Sequence, residues 1–158
     1  MAETLGSLCD KLTVVKLKVW HNSDPVRLES LSIQETRLQN EINEFVDGAV
    51  TGRISPDDLT FASNKIYNEK GNAIAEIDGT IGDVFSKLAE VNCKLWHEQE
   101  KVYEFEKVPA ESKDRVVKSL ALLNLERTKC IDLIDKKFYA KVCDKVLGMN
   151  TCSEFSNP

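Results

Sequence analysis

At 158 residues, with 42% hydrophobic and 30% charged side chains, the chain has the composition of one autonomous domain rather than of a disordered segment. A domain of that size hides roughly 70% of the surface its unfolded chain exposes, so its core needs no staples. A net charge of −5 argues against a nucleic-acid duplex as partner, because such binding needs a basic face that releases counterions.

Seven glycines and four prolines are too few for the turns of a sandwich or barrel, which favours helices. No apolar run reaches the length of a membrane span, and Met1-Ala2-Glu3-Thr4-Leu5 lacks the basic and apolar parts of a signal peptide. The expectation is a cytoplasmic protein without membrane contact, in the host cytoplasm if phage-encoded. Cys9, Cys93, Cys130, Cys143 and Cys152 are odd in number and widely spaced, which fits small core residues better than disulfides or a zinc clip.

In chain order, Leu5, Leu8, Leu12, Val15 and Val19 recur at three and four and predict a first helix from Thr4 to His21. Val14 and Leu17 lie on a further face, as in a central helix or one at a subunit interface. Asn22-Ser23-Asp24-Pro25 breaks the chain, with Ser23 or Asp24 as cap, and predicts a second helix to about Val46 on Leu28, Leu31, Leu38, Ile42 and Phe45.

Residues 47–55 read as the longest internal loop. Ser55-Pro56-Asp57-Asp58 then opens a third helix that runs to Asp78. Gly79 ends it, and Thr80 with Asp83 caps a fourth helix to about Lys107. Pro109 opens a fifth, to about Leu147, on Leu120, Leu123, Ile131, Ile134 and Phe138. The expected fold is therefore all-α: about five helices in one domain over 1–147, and a mobile polar tail over 148–158.

A shift of 76 positions aligns residues 10–21, DKLTVVKLKVWH, with residues 86–97, SKLAEVNCKLWH. The shared Trp20-His21 and Trp96-His97 are the only tryptophans and histidines of the chain. This implies an internally duplicated bundle with halves 1–78 and 79–147. A weaker echo pairs Glu69-Lys70, Ile74 and Ile77-Asp78 with Glu126-Arg127, Ile131 and Ile134-Asp135, at an offset of 57.

Helical geometry places Lys11 and Lys18 about 20° apart, His21 about 60° further round, and Trp20 roughly opposite Lys11. The second copy repeats this with Lys87, Lys94, His97 and Trp96. If the copies pack about a pseudo-two-fold axis, four lysines, two histidines and Arg127 converge on a pocket suited to a phosphate-bearing molecule. The commoner role of a lysine beside a core stripe is a solvated head on a buried stem. A tryptophan at a helix end is more often a core plug than a base-stacking platform. Arg127 lies on the apolar stripe of its helix and needs a partner: Asp10, Asp132, Asp135 or a bound anion.

Neither Glu-x-x-His nor His-x-x-x-His is present, nor a Gly-rich phosphate loop, so no metal, cofactor or catalytic constellation is expected. The stretch Gly6-Ser7-Leu8-Cys9-Asp10-Lys11-Leu12-Thr13-Val14-Val15-Lys16-Leu17-Lys18 resembles the opening of a group of uncharacterised all-helical bacterial and phage proteins. That group reads Gly-Glu-Leu-Ile-Asp-Lys-Leu-Ser-Ile-Leu-x-x-Lys there, and Cys9 and Ser7 depart from its pattern. Val91-Asn92-x-x-Leu95-Trp96 and Asn124-x-x-Arg127 with Ile131 resemble its later segments. The resemblance implies a helical domain and leaves the activity open.

Two functions compete. The first is non-enzymatic sequestration of a small anionic, nucleotide-like ligand, in the manner of a phage anti-defence sponge. The second is a protein-interaction adaptor or homo-oligomer acting through a face such as that of Val14 and Leu17.

Overall fold

The computed structural model describes residues 3–62 and 72–147. Among the described residues four long helices carry the fold: α1 (Leu5–Trp20), α2 (Pro25–Val50), α3 (Ile81–Tyr103) and α4 (Ala110–Val142). Short 3-10 turns stand at Pro56–Asp58 and Phe105–Lys107, and a π-turn at Cys143–Leu147 extends α4. No strand occurs among the described residues.

The helix starts follow local chemistry. Thr4 accepts from the Ser7 N–H while the Ser7 hydroxyl accepts from the Thr4 N–H, and Thr80 and Asp83 repeat this reciprocal cap 76 residues later. The α2 cap is Asp24, whose carboxylate accepts from Val26 N–H with Pro25 in the first turn.

The expected third helix over 56–78 is not formed in the described residues. Pro56–Asp58 makes one 3-10 turn, Ser55 provides no side-chain cap, and residues 72–80 contain no helix; positions 63–71 of that expectation lie outside the described residues. The segment offers no continuous apolar stripe, and Gly71-Asn72 is poor helix sequence. Leu59 and Ile77 instead reach the core singly from irregular backbone. Of the echo at offset 57, Ile74 and Ile77-Asp78 are non-helical whereas Ile131 and Ile134-Asp135 stand in α4, and Glu69-Lys70 lies outside the described residues.

The expected loop over 47–55 is shorter, because α2 continues to Val50 with Gly48 and Ala49 buried. Ile54 folds back over Gly48, where a Cβ would lie 2.8 Å from its Cδ1, and Gly52 at φ +73° turns the chain. The tail 148–158 falls outside the described residues.

Hydrogen bonds and ring contacts set the directions. α1 meets α3 in parallel, Asp10 and Thr13 near Asn92 and His21 on Trp96, and meets α4 antiparallel, Gly6 by Asp135 and Asp10 by Arg127. α2 returns antiparallel to α1, with Lys16 bonded to Glu35, and its far end reaches α4 through Phe45 and Phe138. α1 is thus the central helix, packed against the other three. Leu5, Val84, Leu88, Cys130 and Ile134 form the main core, and Ala49, Leu59 and Val142 a second one beside it. No described helix is long and apolar enough to cross a membrane.

Candidate functional site

Two openings flank α1 on opposite sides, because α2 diverges from both α3 and α4. Between α2 and α4 lies a cleft of about 420 Å³ with Lys11, Lys18, Arg37 and Arg127 on its walls, Val14, Val15 and Leu38 on its floor, and Gln34 and Glu41 at its edge. Between α2 and α3 lies a groove of about 720 Å³ lined by Leu12, Leu17, Trp20, Phe85, Ala89 and Cys93, with Lys16, Glu35, His21 and His97 around it. The 180° separation of Trp20 from the Lys11 and Lys18 pair follows from helical periodicity, and it divides the expected site between the two openings.

The cleft collects three of the expected residues. Lys11 is held by Glu3 at 2.6 Å, and that ion pair is half exposed. Lys18 is exposed and has no ion-pair partner among the described residues. Arg127 lays its guanidinium along Asp10, Nε donating to Oδ1 at 2.7 Å and Nη2 to Oδ2, and the hydrogen bond to Asp10 holds the arginine protonated. Asp10 is 4% exposed and also accepts from Asn92 Nδ2 at 2.9 Å, so its charge is spread over two neighbouring helices. Of the partners open to Arg127 in the sequence, the structure selects Asp10.

The expected single pocket of four lysines is not formed. Lys87 reaches Glu126 of α4 at 3.0 Å and Glu90 at 3.5 Å, and the Glu126 contact raises its pKa. Lys94 pairs with Glu90. Both lysines of the second copy are thus engaged by carboxylates of α3 and α4, away from the cleft. The reason is the parallel, face-sharing packing of α1 and α3, which turns their lysine stripes toward different neighbours.

The histidines and tryptophans gather at the far end of α1 and α3. His21 stacks on Trp96 with ring centroids 4.8 Å apart and planes 14° from parallel, and His97 meets His21 edge-on at 6.0 Å. Trp96 donates Nε1–H to Glu100 at 2.9 Å, and His97 lies 3.3 Å from the same carboxylate. Trp20, by contrast, is 85% exposed at the groove. The two tryptophans therefore occupy different environments: Trp96 supports a ring stack, and Trp20 is exposed.

No family model, curated protein or solved structure matches the chain.

Arg37 was not singled out by the sequence. Its signal is the run Gln34, Arg37, Leu38 and Glu41, whose spacings of three and four place it beside the apolar stripe of α2. Burial pushes the Cys9 and Cys130 thiols up to about 11, and Cys143 is buried. Cys93 is exposed in the groove, and Cys152 lies outside the described residues. Among the described residues no three His, Cys, Asp or Glu side chains are placed to share a metal ion.

Proposed function

We propose that the protein is a non-enzymatic binder of a small anionic, nucleotide-like molecule, held in the cleft between α1, α2 and α4. The observation that supports this reading is the convergence of Lys11, Lys18, Arg37 and Arg127 from three helices on one cleft, against the single carboxylate of Glu41. Arg127 is positioned there by Asp10, and Lys18 and Arg37 supply uncommitted positive charge to phosphate oxygens. Val14, Val15 and Leu38 offer an apolar floor to the remainder of the ligand. Retention without turnover suits the sequestration of a signal molecule in the cytoplasm, as in a phage anti-defence sponge, and agrees with the resemblance of the opening motif to bacterial and phage proteins. The duplication at offset 76 then accounts for the scaffold, two helices started by the same threonine cap, while only the first copy contributes lysines to the cleft.

The test is mass spectrometry of small molecules released by heating the protein after incubation with a pool of nucleotides and cyclic nucleotides, against protein kept in buffer. An unmodified nucleotide in the released fraction is the expected result. A chemically altered nucleotide replaces binding by catalysis, and an empty fraction contradicts the reading.

The adaptor reading has its own support in the apolar groove on the opposite side of α1, to which Leu17 contributes while Val14 belongs to the cleft.

A further inference from the structure

We propose that the groove between α2 and α3 is the seat of a second copy of this chain, each copy inserting Trp20 into the groove of the other. Trp20 ends α1 and stands 85% exposed, and Phe85, which lines the same groove from α3, is 37% exposed. An indole is a costly group to leave in water, and tryptophan is the side chain most enriched at the energetic centre of interfaces. The groove it borders holds about 720 Å³, several times the volume of one indole, over a floor of Leu12, Leu17, Ala89 and Cys93.

Knob and hole lie on the same face of the same helix. A surface that carries both is self-complementary under a two-fold axis, which is the geometry of an isologous dimer. The charges agree. Lys16 and Glu35 sit on the lip at 3.0 Å, with the lysine 59% and the glutamate 22% exposed. A two-fold axis lets each outward ammonium meet the acidic lip of the other copy, so like charges need not oppose.

The two exchanged indoles account for roughly 300–500 Å² of buried surface, and the flanking turn of α1 adds to it, which leaves the contact below the ~1,200–2,000 Å² of stable interfaces. A contact of that size gives a weak, reversible association. It does not depend on anion binding, because the cleft opens on the other side of α1.

The experiment is sedimentation velocity of the full chain over roughly 1–200 μM, for the wild type and Trp20→Ser, with maleimide labelling of Cys93 followed by peptide mapping at each concentration. The wild type should pass from monomer to dimer, and labelling of Cys93 should slow at least several-fold in step. Trp20→Ser, at an exposed position that leaves the helical spectrum intact, should stay monomeric with Cys93 reactive throughout. A wild type that stays monomeric up to ~200 μM overturns the proposal and leaves the groove to a different occupant, such as an amphipathic helix of a partner. A dimer that persists in Trp20→Ser, or one that leaves Cys93 fully reactive, overturns it as well, because the contact then lies elsewhere. Retention of nucleotide by Trp20→Ser equal to the wild type is expected in either case, which separates this proposal from the cleft reading.

Discussion

The backbone N–H of Gly6 donates to the buried carboxylate of Asp135 at 2.6 Å, so the first turn of α1 is seated directly against the backbone of α4. A Cβ at Gly6 would stand 2.5 Å from the Ile131 carbonyl oxygen and 3.0 Å from Asp135 Oδ1. Gly82, 76 residues later and likewise in the first turn of its helix, faces only Thr80 Oγ1 at 3.7 Å. The same substitution should therefore have opposite signs at the two related positions. Gly6→Ala should lower stability by roughly 1–3 kcal/mol through forced separation of α1 from α4. Gly82→Ala should be neutral or stabilising by up to about 1 kcal/mol, through helix propensity. Urea denaturation of both variants checks this; equal effects would remove the close approach from the account.

Asp135 also sets a pH dependence. Burial raises its pKa to about 6, against the opposing hydrogen bonds from Gly6 N–H and the Thr4 hydroxyl. A carboxyl whose pKa is higher folded than unfolded contributes stability that is complete below the unfolded value near 4 and lost as pH rises through 6. Asp135→Asn keeps an oxygen to accept from Gly6 and removes the ionisation. Between pH 4 and 7 the variant should gain on the order of 2 kcal/mol relative to the wild type. Parallel thermal melts across that range would refute the assignment.

The Asp10 and Arg127 pair is structural as well as a wall of the cleft. Asp10→Ala leaves a half-buried guanidinium without its acceptor and the Asn92 amide with Thr13 alone, and Arg127 is 34% exposed on its side chain. The cost should be roughly 2–3 kcal/mol, below that of breaking a fully buried pair, and visible as a drop in Tm of about 4–12 °C. An Asp10→Leu, Arg127→Met double variant should recover part of the loss. Thermal unfolding of the set tests this, and a double variant worse than the sum of the singles would contradict it.

Much of this architecture could be read from local chemistry. The stripes of α1, α2 and α4, the Thr80 and Asp83 cap, and the Asp24-Pro25 start are short-range patterns and appear where periodicity and capping place them. The failures are of another kind. Ser55-Pro56-Asp57-Asp58 reads as the start of a third helix, whereas among the described residues of 56–78 it opens a single 3-10 turn without a side-chain cap. The loop expected over 47–55 begins only after Val50, because Gly48 is a helical glycine against which Ile54 packs. The duplicated lysine stripes suggested one shared pocket, but whether two stripes face each other depends on interhelical rotation, which periodicity does not contain. Lys87 and Lys94 turned to Glu126 and Glu90, and Arg37 from α2 completed the cleft instead.

The most direct test of the central claim is calorimetric titration of ATP and of inorganic pyrophosphate into the wild type, Lys18→Glu, Arg37→Glu and Lys94→Glu. Reversal of charge at Lys18 or Arg37 should weaken binding at least tenfold, about 1.4 kcal/mol, while Lys94→Glu stays within about twofold of the wild type. A loss as large in Lys94→Glu, undiminished binding in Lys18→Glu and Arg37→Glu, or no heat with either anion in the wild type would contradict an anion site between α1, α2 and α4.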